Sequence, residues 1–314
     1  MTAWLFVLLG IGLLYGGGEA LIRGAVRLAA QAGLSPMVIG LTVVAFGTSA
    51  PELAATLLAV LRGSPEIGMG NVLGSNIANI GLILPLAALI TPLFGQGKFI
   101  WREIPFMFLA SAVLLLLLPN DVLGRWEGLG LLSVLVGYTI YLLREKDENA
   151  AVVDEFNVEF GKVSSGKGYI VAIGLIIVGL VALVFGATLT VDGGVAIASR
   201  FGVSDRIIGL TLVAVGTSLP ELASSIVAAA KKETDIVLGN IVGSNIFNVL
   251  GILGVTAIVK PIEVVYDHIE VDILVGLGFA ALLLAIIART AKIGRFGGFV
   301  LVTGYGVYIA TMFG

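Results

Sequence analysis

The stretch that decides the fold is Gly40-Leu-Thr-Val-Val-Ala-Phe-Gly-Thr-Ser-Ala-Pro-Glu52, because it returns as Gly209-Leu-Thr-Leu-Val-Ala-Val-Gly-Thr-Ser-Leu-Pro-Glu221. Each copy is followed by a second element, Gly70-Asn-Val-Leu-Gly-Ser-Asn-Ile-Ala-Asn79 and Gly239-Asn-Ile-Val-Gly-Ser-Asn-Ile-Phe-Asn248. Both elements repeat at an offset of 169 residues (221 − 52 and 248 − 79). Residues 33–56 and 202–225 are identical at 15 of 24 positions without a gap, and the similarity fades quickly outside them. A carboxylate with amides and hydroxyls, kept twice inside apolar sequence, is expensive there and marks a functional site.

The surroundings identify the solvent. Of 314 residues 58% are hydrophobic and 12% charged, with mean hydropathy +1.08. A soluble domain carries roughly 25% charged residues, so the chain reads as an all-α integral membrane protein. There is no Cys and a single His, His268, which leaves no disulfide framework, thiolate chemistry or soft-metal ligand set. No basic tract suggests nucleic acid. The N-terminus lacks a positive n-region, and its apolar run exceeds a signal-sized core, so it reads as the first span.

Runs near the ~20 residues needed to cross a bilayer lie close to 3–30, 37–61, 67–93, 103–118, 126–143, 168–199, 207–230, 236–259, 269–288 and 296–313. The first and sixth are long and should tilt. Ten spans divide into a first five-helix repeat, 1–143, a hydrophilic linker, 144–167, with six acidic residues, and a second five-helix repeat, 168–314. Five is odd, so the second repeat enters from the opposite side and the repeats are inverted. With both termini outside, thirteen Lys and Arg fall on the inner side and five on the outer, which accounts for all 18 and makes the linker cytoplasmic.

Within the motifs, Pro51 and Pro220 cannot donate a backbone hydrogen bond, which frees carbonyls of the preceding turn. Thr48, Ser49 and Glu52 share a helix face, as do Thr217, Ser218 and Glu221. Asn71, Ser75 and Asn79, and likewise Asn240, Ser244 and Asn248, recur every fourth residue. Asn71 and Asn240 are equally open to a helix-packing role. Gly70, Gly74, Gly239 and Gly243 allow close backbone approach. Joined by the two-fold, these groups make an oxygen cluster around two carboxylates. Hard cations such as Ca2+ take about 6–8 oxygens of these kinds, and two Glu balance one divalent ion. Glu19 and Asp192 do not align with each other at the 169-residue offset and fit a gate or helix contact as well as an ion role. His268, with Asp267, Glu270 and Asp272, reads as solvated interface.

At these residues the chain resembles the sodium/calcium exchanger superfamily in its prokaryotic ten-helix form. Gly-Thr-Ser-x-Pro-Glu and Gly-Asn-x-x-Gly-Ser-Asn match that family's paired α-repeats. The resemblance implies Ca2+ extrusion driven by Na+ entry, with no cofactor, at a plasma membrane. It implies an ion site on helices 2, 3, 7 and 8, with helices 1 and 6 sliding to alternate access. Carried over by position, Glu52 and Glu221 would ligate Ca2+ and share in Na+ binding, and Thr48 and Thr217 would join the calcium site. Ser49, Ser75, Ser218 and Ser244, with the carbonyls of Ala45 and Ala214, would serve sodium, and Asn79 and Asn248 complete the centre. Asn248 stands where potassium-dependent members carry Asp, which argues against K+ cotransport. Proton-driven calcium exchangers show a Gly-Asn-Ala-x-Glu type motif instead, which favours Na+, although buried carboxylates can also carry protons. A proton-driven divalent-cation antiporter and a cation channel are the alternatives. An intramembrane enzyme lacks a nucleophile–base pair.

Overall fold

A computed structural model describes residues 2–95, 97, 99–144, 166–201 and 214–313. The helices are α1 (Thr2–Ala32), α2 (Pro36–Thr48), α3 (Ala50–Leu61), α4 (Pro65–Ile90), α5 (Phe99–Leu117), α6 (Arg125–Arg144), α7 (Gly166–Arg200), α8 (Ala214–Thr217), α9 (Leu219–Ala230), α10 (Thr234–Val259), α11 (Tyr266–Thr290) and α12 (Arg295–Phe313). Helix stands at each of the ten expected positions. Among the described residues seven helices are long and apolar enough to cross a membrane, and the bent pair α2–α3 makes eight. The described part of the seventh expected span is shorter, because residues 202–213 lie outside the described residues, as does most of the linker.

Local chemistry sets the helix ends. Gly33, at φ +64°, ends α1 in the left-handed conformation that a residue with a Cβ resists. Ser35 then caps α2 by accepting from Val38 N at 3.2 Å, with Pro36 at the first helical position. The motif interrupts its own helix: Ser49 leaves helical geometry at ψ 6°, α3 restarts at Ala50, and the two axes differ by 44°. This corrects the expectation of Pro51 inside one continuous helix. Pro51 sits in the first turn of a new helix, where its missing N–H costs little. Pro220 holds the same place in α9.

The inverted arrangement is visible in one helix pair. A Cβ on Gly10, Gly17, Gly24 or Gly193 would meet the carbonyl oxygen of Gly186, Gly179, Ala172 or Ala3, respectively, at 2.7–2.9 Å. Numbers rise along α1 as they fall along α7, so these two helices run antiparallel with backbones in contact. Without a hydrophobic driving force inside a bilayer, such close packing is what joins helices. Because α1 and α7 open the two repeats, antiparallel contact between them means inversion. Two short antiparallel ribbons repeat the symmetry: β1 (Leu93–Phe94) pairs with β4 (Lys292–Ile293), and β2 (Val122–Leu123) with β3 (Ile262–Glu263).

Six helices, α2–α4 and α8–α10, make up the centre, and α10 is the most deeply buried span among the described residues. The outer surface is apolar. Leu8, Leu109, Val178 and Phe185 are exposed in mid-helix, and Trp4, Trp101 and Trp126 are exposed near helix starts, the pattern of lipid contact with interfacial aromatics. Close approach is confirmed for Gly239 and Gly243, whose added Cβ atoms would meet Met37 O at 2.6 Å and Leu41 O at 2.5 Å. The corresponding partners of Gly70 and Gly74 fall at residues 206–210, outside the described residues.

Gly17→Ala should therefore destabilise the fold by about 1–3 kcal/mol through overpacking. Gly12→Ala, with nothing within 4 Å of the added carbon, should stay within about 0.5 kcal/mol of the parent. Thermal denaturation in detergent monitored by monodispersity checks the contrast.

Candidate functional site: an acceptor-only cage between the repeats

Each helix break delivers a carboxylate. Glu52 lies in the first turn of α3 and Glu221 in the first turn of α9, where the positive end of the helix dipole favours negative charge. Both are 1% exposed. They are held across the interface, since Ser49 Oγ donates to Glu221 Oε1 at 3.1 Å and Ser218 Oγ donates to Glu52 Oε1 at 3.3 Å. The second bond is the first with the repeats exchanged.

The same exchange relates the next layer. Thr48 Oγ1 donates to Asn240 Oδ1 at 3.2 Å, and Thr217 Oγ1 to Asn71 Oδ1 at 3.4 Å. Asn71 Nδ2 donates to Thr56 Oγ1 at 2.9 Å, and Asn240 Nδ2 to Ser225 Oγ at 3.3 Å. Asn71 and Asn240 thus act as cross-links that hold the motif threonines, the packing alternative left open by their spacing. The hydroxyls of Thr48, Ser49, Thr217 and Ser218 each donate to an acceptor in the opposite repeat, which leaves their oxygen lone pairs available.

At the middle, α4 meets α10 through four asparagines. Asn76 Nδ2 donates to the Asn245 carbonyl at 3.3 Å and Asn245 Nδ2 to the Asn76 carbonyl at 3.2 Å. Asn79 Nδ2 donates to Asn245 Oδ1 at 2.9 Å, and Asn248 Nδ2 to Asn76 Oδ1 at 3.0 Å. Here the helices open into π-helical turns beginning at Asn79 and Asn248, a feature frequent at functional sites. Asn76 and Asn245 escaped the sequence reading, which followed every fourth residue from Asn71 and passed over them. Their own duplication at the 169-residue offset was the available signal.

What remains unpaired is telling. Among the described residues, buried side-chain polar atoms without a hydrogen-bond partner include Glu52 Oε2, Glu221 Oε2, Asn79 Oδ1, Asn248 Oδ1 and Ser244 Oγ. All five are oxygens, all five belong to the duplicated motifs, and four of them can only accept. A native protein leaves few such groups, because each costs about 1–3 kcal/mol. The orphans thus define a place that lacks a positive partner. Among the described residues no cluster of three His, Asp or Glu exists, so any cation here is held by two carboxylates and neutral oxygens. That donor set suits hard ions.

Ser75 Oγ accepts from Ser218 Oγ at 3.3 Å and so joins the Glu52 side. The Ala45 carbonyl accepts from Ser49 N at 3.0 Å and from Thr48 Oγ1 at 3.4 Å, at the C-terminal end of α2 where carbonyl dipoles favour cations. The side chain of Ala214 is outside the described residues. Glu19 is not at the cage: it pairs with Arg23 at 2.6 Å and with Lys231 at 2.8 Å. Asp272 corrects the reading of solvated interface, because Tyr308 Oη donates to it at 2.8 Å between α11 and α12. Its counterpart in the first repeat is Glu103, buried and bonded by Tyr138.

A membrane protein of inverted repeats, with an acceptor-only cage at broken helices between them, belongs to the class of secondary cation transporters. The particular family follows from comparison with known proteins. The sodium/calcium exchanger protein family profile matches residues 2–144 and 171–314. The chain is 36% identical to the putative antiporter CaxA of Alkalimonas amylolytica, over 97% of each chain. It is 32% identical to the sodium/calcium exchanger MaX1 of Methanosarcina acetivorans, over 99% of this chain and 98% of that one. A solved structure of the sodium-calcium exchanger NCX_Mj, soaked with Na+ and Sr2+, superposes with a TM-score of 0.84 at 32% identity, covering 99% of this chain and 98% of that one. The chain belongs to the sodium/calcium exchanger family, whose activity is cation/Ca2+ antiport.

Removing either central amide tests the cage's construction. Asn76→Ala and Asn245→Ala should each destabilise by about 1–3 kcal/mol, since the first strands the buried side-chain amide of Asn248 and the second that of Asn79. The double variant should depart from the sum by about 0.5–3 kcal/mol, because both amides belong to one hydrogen-bond network. Thermal denaturation of the three variants measures this coupling.

Proposed function

We propose that the chain is a Na+/Ca2+ antiporter of the cell membrane, with Ca2+ and Na+ competing for the cage between the repeats. The observation that carries this reading is the set of orphaned oxygens at Glu52, Glu221, Asn79, Asn248 and Ser244. Two carboxylates supply the charge for one Ca2+ or for two monovalent ions, and the neutral oxygens supply the rest of a hard-cation shell. Glu52 and Glu221 ligate Ca2+ and share in Na+ binding. Thr48 and Thr217 contribute to the calcium site, while Ser49, Ser75, Ser218, Ser244 and the carbonyls of Ala45 and Ala214 serve Na+.

Na+ is favoured over H+ as the driving ion by the motif chemistry. A proton carrier needs the carboxylates alone, whereas the motifs add hydroxyls whose protons already point to acceptors in the opposite repeat. The names of MaX1 and NCX_Mj as sodium/calcium exchangers agree with this choice. Occupancy of one central site, exposed alternately to either side, couples the two fluxes. The repeats divide at the linker 144–167, which lies in the cytoplasm, and both termini lie outside by the distribution of basic residues.

In proteoliposomes loaded with Na+ and diluted into Na+-free buffer, with voltage and pH clamped, radioactive Ca2+ should enter only when internal Na+ is present. Uptake indifferent to Na+ but driven by an inside-acid pH gradient would place the chain in the proton-driven branch. Glu52→Gln and Glu221→Gln should each reduce Ca2+ uptake by at least about 100-fold, the scale of losing a charged ligand worth ~3 kcal/mol or more.

A further inference from the structure

The pseudo-two-fold relates most of the side-chain bonds between the repeats to a partner bond, including two far from the cage. Thr91 Oγ1 donates to the Ala229 carbonyl at 2.8 Å, and Lys260 Nζ donates to the Val60 carbonyl at 2.8 Å. Applying the 169-residue offset to one of these bonds yields the other (91 + 169 = 260; 60 + 169 = 229). The contacts that α1 and α7 make with the broken helices do not obey this rule.

On one side α1 seals α9. A Cβ on Gly18 would touch Val227 at 3.0 Å and the Ala223 carbonyl at 3.4 Å, and Val227 is 5% exposed. The seal ends in an ion pair, Glu19 to Lys231 at 2.8 Å. Under the exchange of repeats, α7 should cover α3 in the same way. It does not: Leu58, the counterpart of Val227, is 46% exposed, and Ala54, the counterpart of Ala223, is exposed as well. The structure is covered along α9 and uncovered along α3, the helix whose first turn carries Glu52.

The charges at the open side complete the picture. Lys231 corresponds to Arg62, which follows α3 (62 + 169 = 231). On α7 the position of Glu19 is Thr188, but the position of Arg23, one turn further along, is Asp192 (23 + 169 = 192). Each repeat therefore carries an acid on its first helix and a base just beyond its partner's broken helix, although the acids sit one turn apart. Arg62 and Asp192 are both exposed and make no ion pair among the described residues.

From this asymmetry we infer that Glu19–Lys231 and Asp192–Arg62 are alternative latches: the first is formed in the state seen here, and the second forms when α7 closes over Ala54 and Leu58. The inference rests on reading the chain as an alternating-access exchanger, and it concerns which conformation is favoured, not which ions are bound. A latch of exposed charges is weak by nature. That suits a switch, because either state remains escapable, and each exposed ion pair shifts the equilibrium about two- to fivefold.

The absence of Cys in the whole chain makes the test direct. Leu58→Cys and Val227→Cys report the open and closed sides, and their labelling by a maleimide reagent is measured in nanodiscs without an ion gradient. Glu19→Gln should lower the ratio of Leu58 to Val227 labelling about two- to fivefold, and Asp192→Asn should raise it by a similar factor. The charge exchange Asp192→Arg with Arg62→Asp should return the ratio to that of the parent. No change with Asp192→Asn, or a change in the same direction as with Glu19→Gln, overturns the proposal. Because the ratio is read with no gradient, its failure leaves the exchange reading intact, and an unexpected driving ion in the flux assay leaves the latches intact.

Discussion

Two carboxylates buried in a membrane protein need a positive partner, and no Lys, Arg or His is hydrogen-bonded to either one among the described residues. An isolated ionised carboxylate is costly to hold in such surroundings. Helix breaks at Ser49 and Ser218 ease that cost by placing each Glu at the positive end of a short helix. In the function proposed above, a transported cation would supply the remaining charge. Much of the rest of the centre goes with it: the Ser49 and Ser218 hydroxyls bond the carboxylates of the opposite repeat, the amides of Asn76, Asn79, Asn245 and Asn248 are consumed between the repeats, and motif oxygens are left unpaired. The cage is costly when empty, and that cost gives a passing cation a reason to enter.

Inversion provides the second condition. Because α1 and α7 run antiparallel with their glycines in contact, the two repeats present the same motif from opposite faces of the membrane. One set of contacts then serves for both directions of approach. The reciprocal bonds, from Ser49–Glu221 and Ser218–Glu52 to Thr91–Ala229 and Lys260–Val60, tie α2–α4 and α8–α10 into one body. The long helices α1 and α7 lie outside that network, joined to it by unequal contacts. Those unequal contacts are the main departure of α1 and α7 from the two-fold that the rest of the centre follows.

Much of this was legible in the sequence because a membrane writes strong signals. Apolar runs placed the helices, and a duplicated polar motif in apolar surroundings marked the cage before any contact was known. Less legible were features that depend on packing between distant segments. Asn76 and Asn245 lie off the face traced from Asn71, yet they form the bond pair at the exact centre of the α4–α10 contact. Pro51 suggested a kink, but only the geometry of Ser49 shows that one helix ends and another begins there. Asp272 looked like surface charge beside His268, because its partner Tyr308 is 36 residues away on another helix. Pairings across helices have no local period, so they are lost to a reading made one segment at a time.

The central claim is that one cage of oxygens, built around Glu52 and Glu221, binds Ca2+ and Na+ in competition. Equilibrium binding of radioactive Ca2+ to the purified chain, titrated with Na+, measures this directly. The account predicts that Na+ displaces bound Ca2+ completely and that the double variant Glu52→Gln/Glu221→Gln binds none. Ca2+ that remains bound to the double variant, or that Na+ cannot displace from the parent, would contradict it.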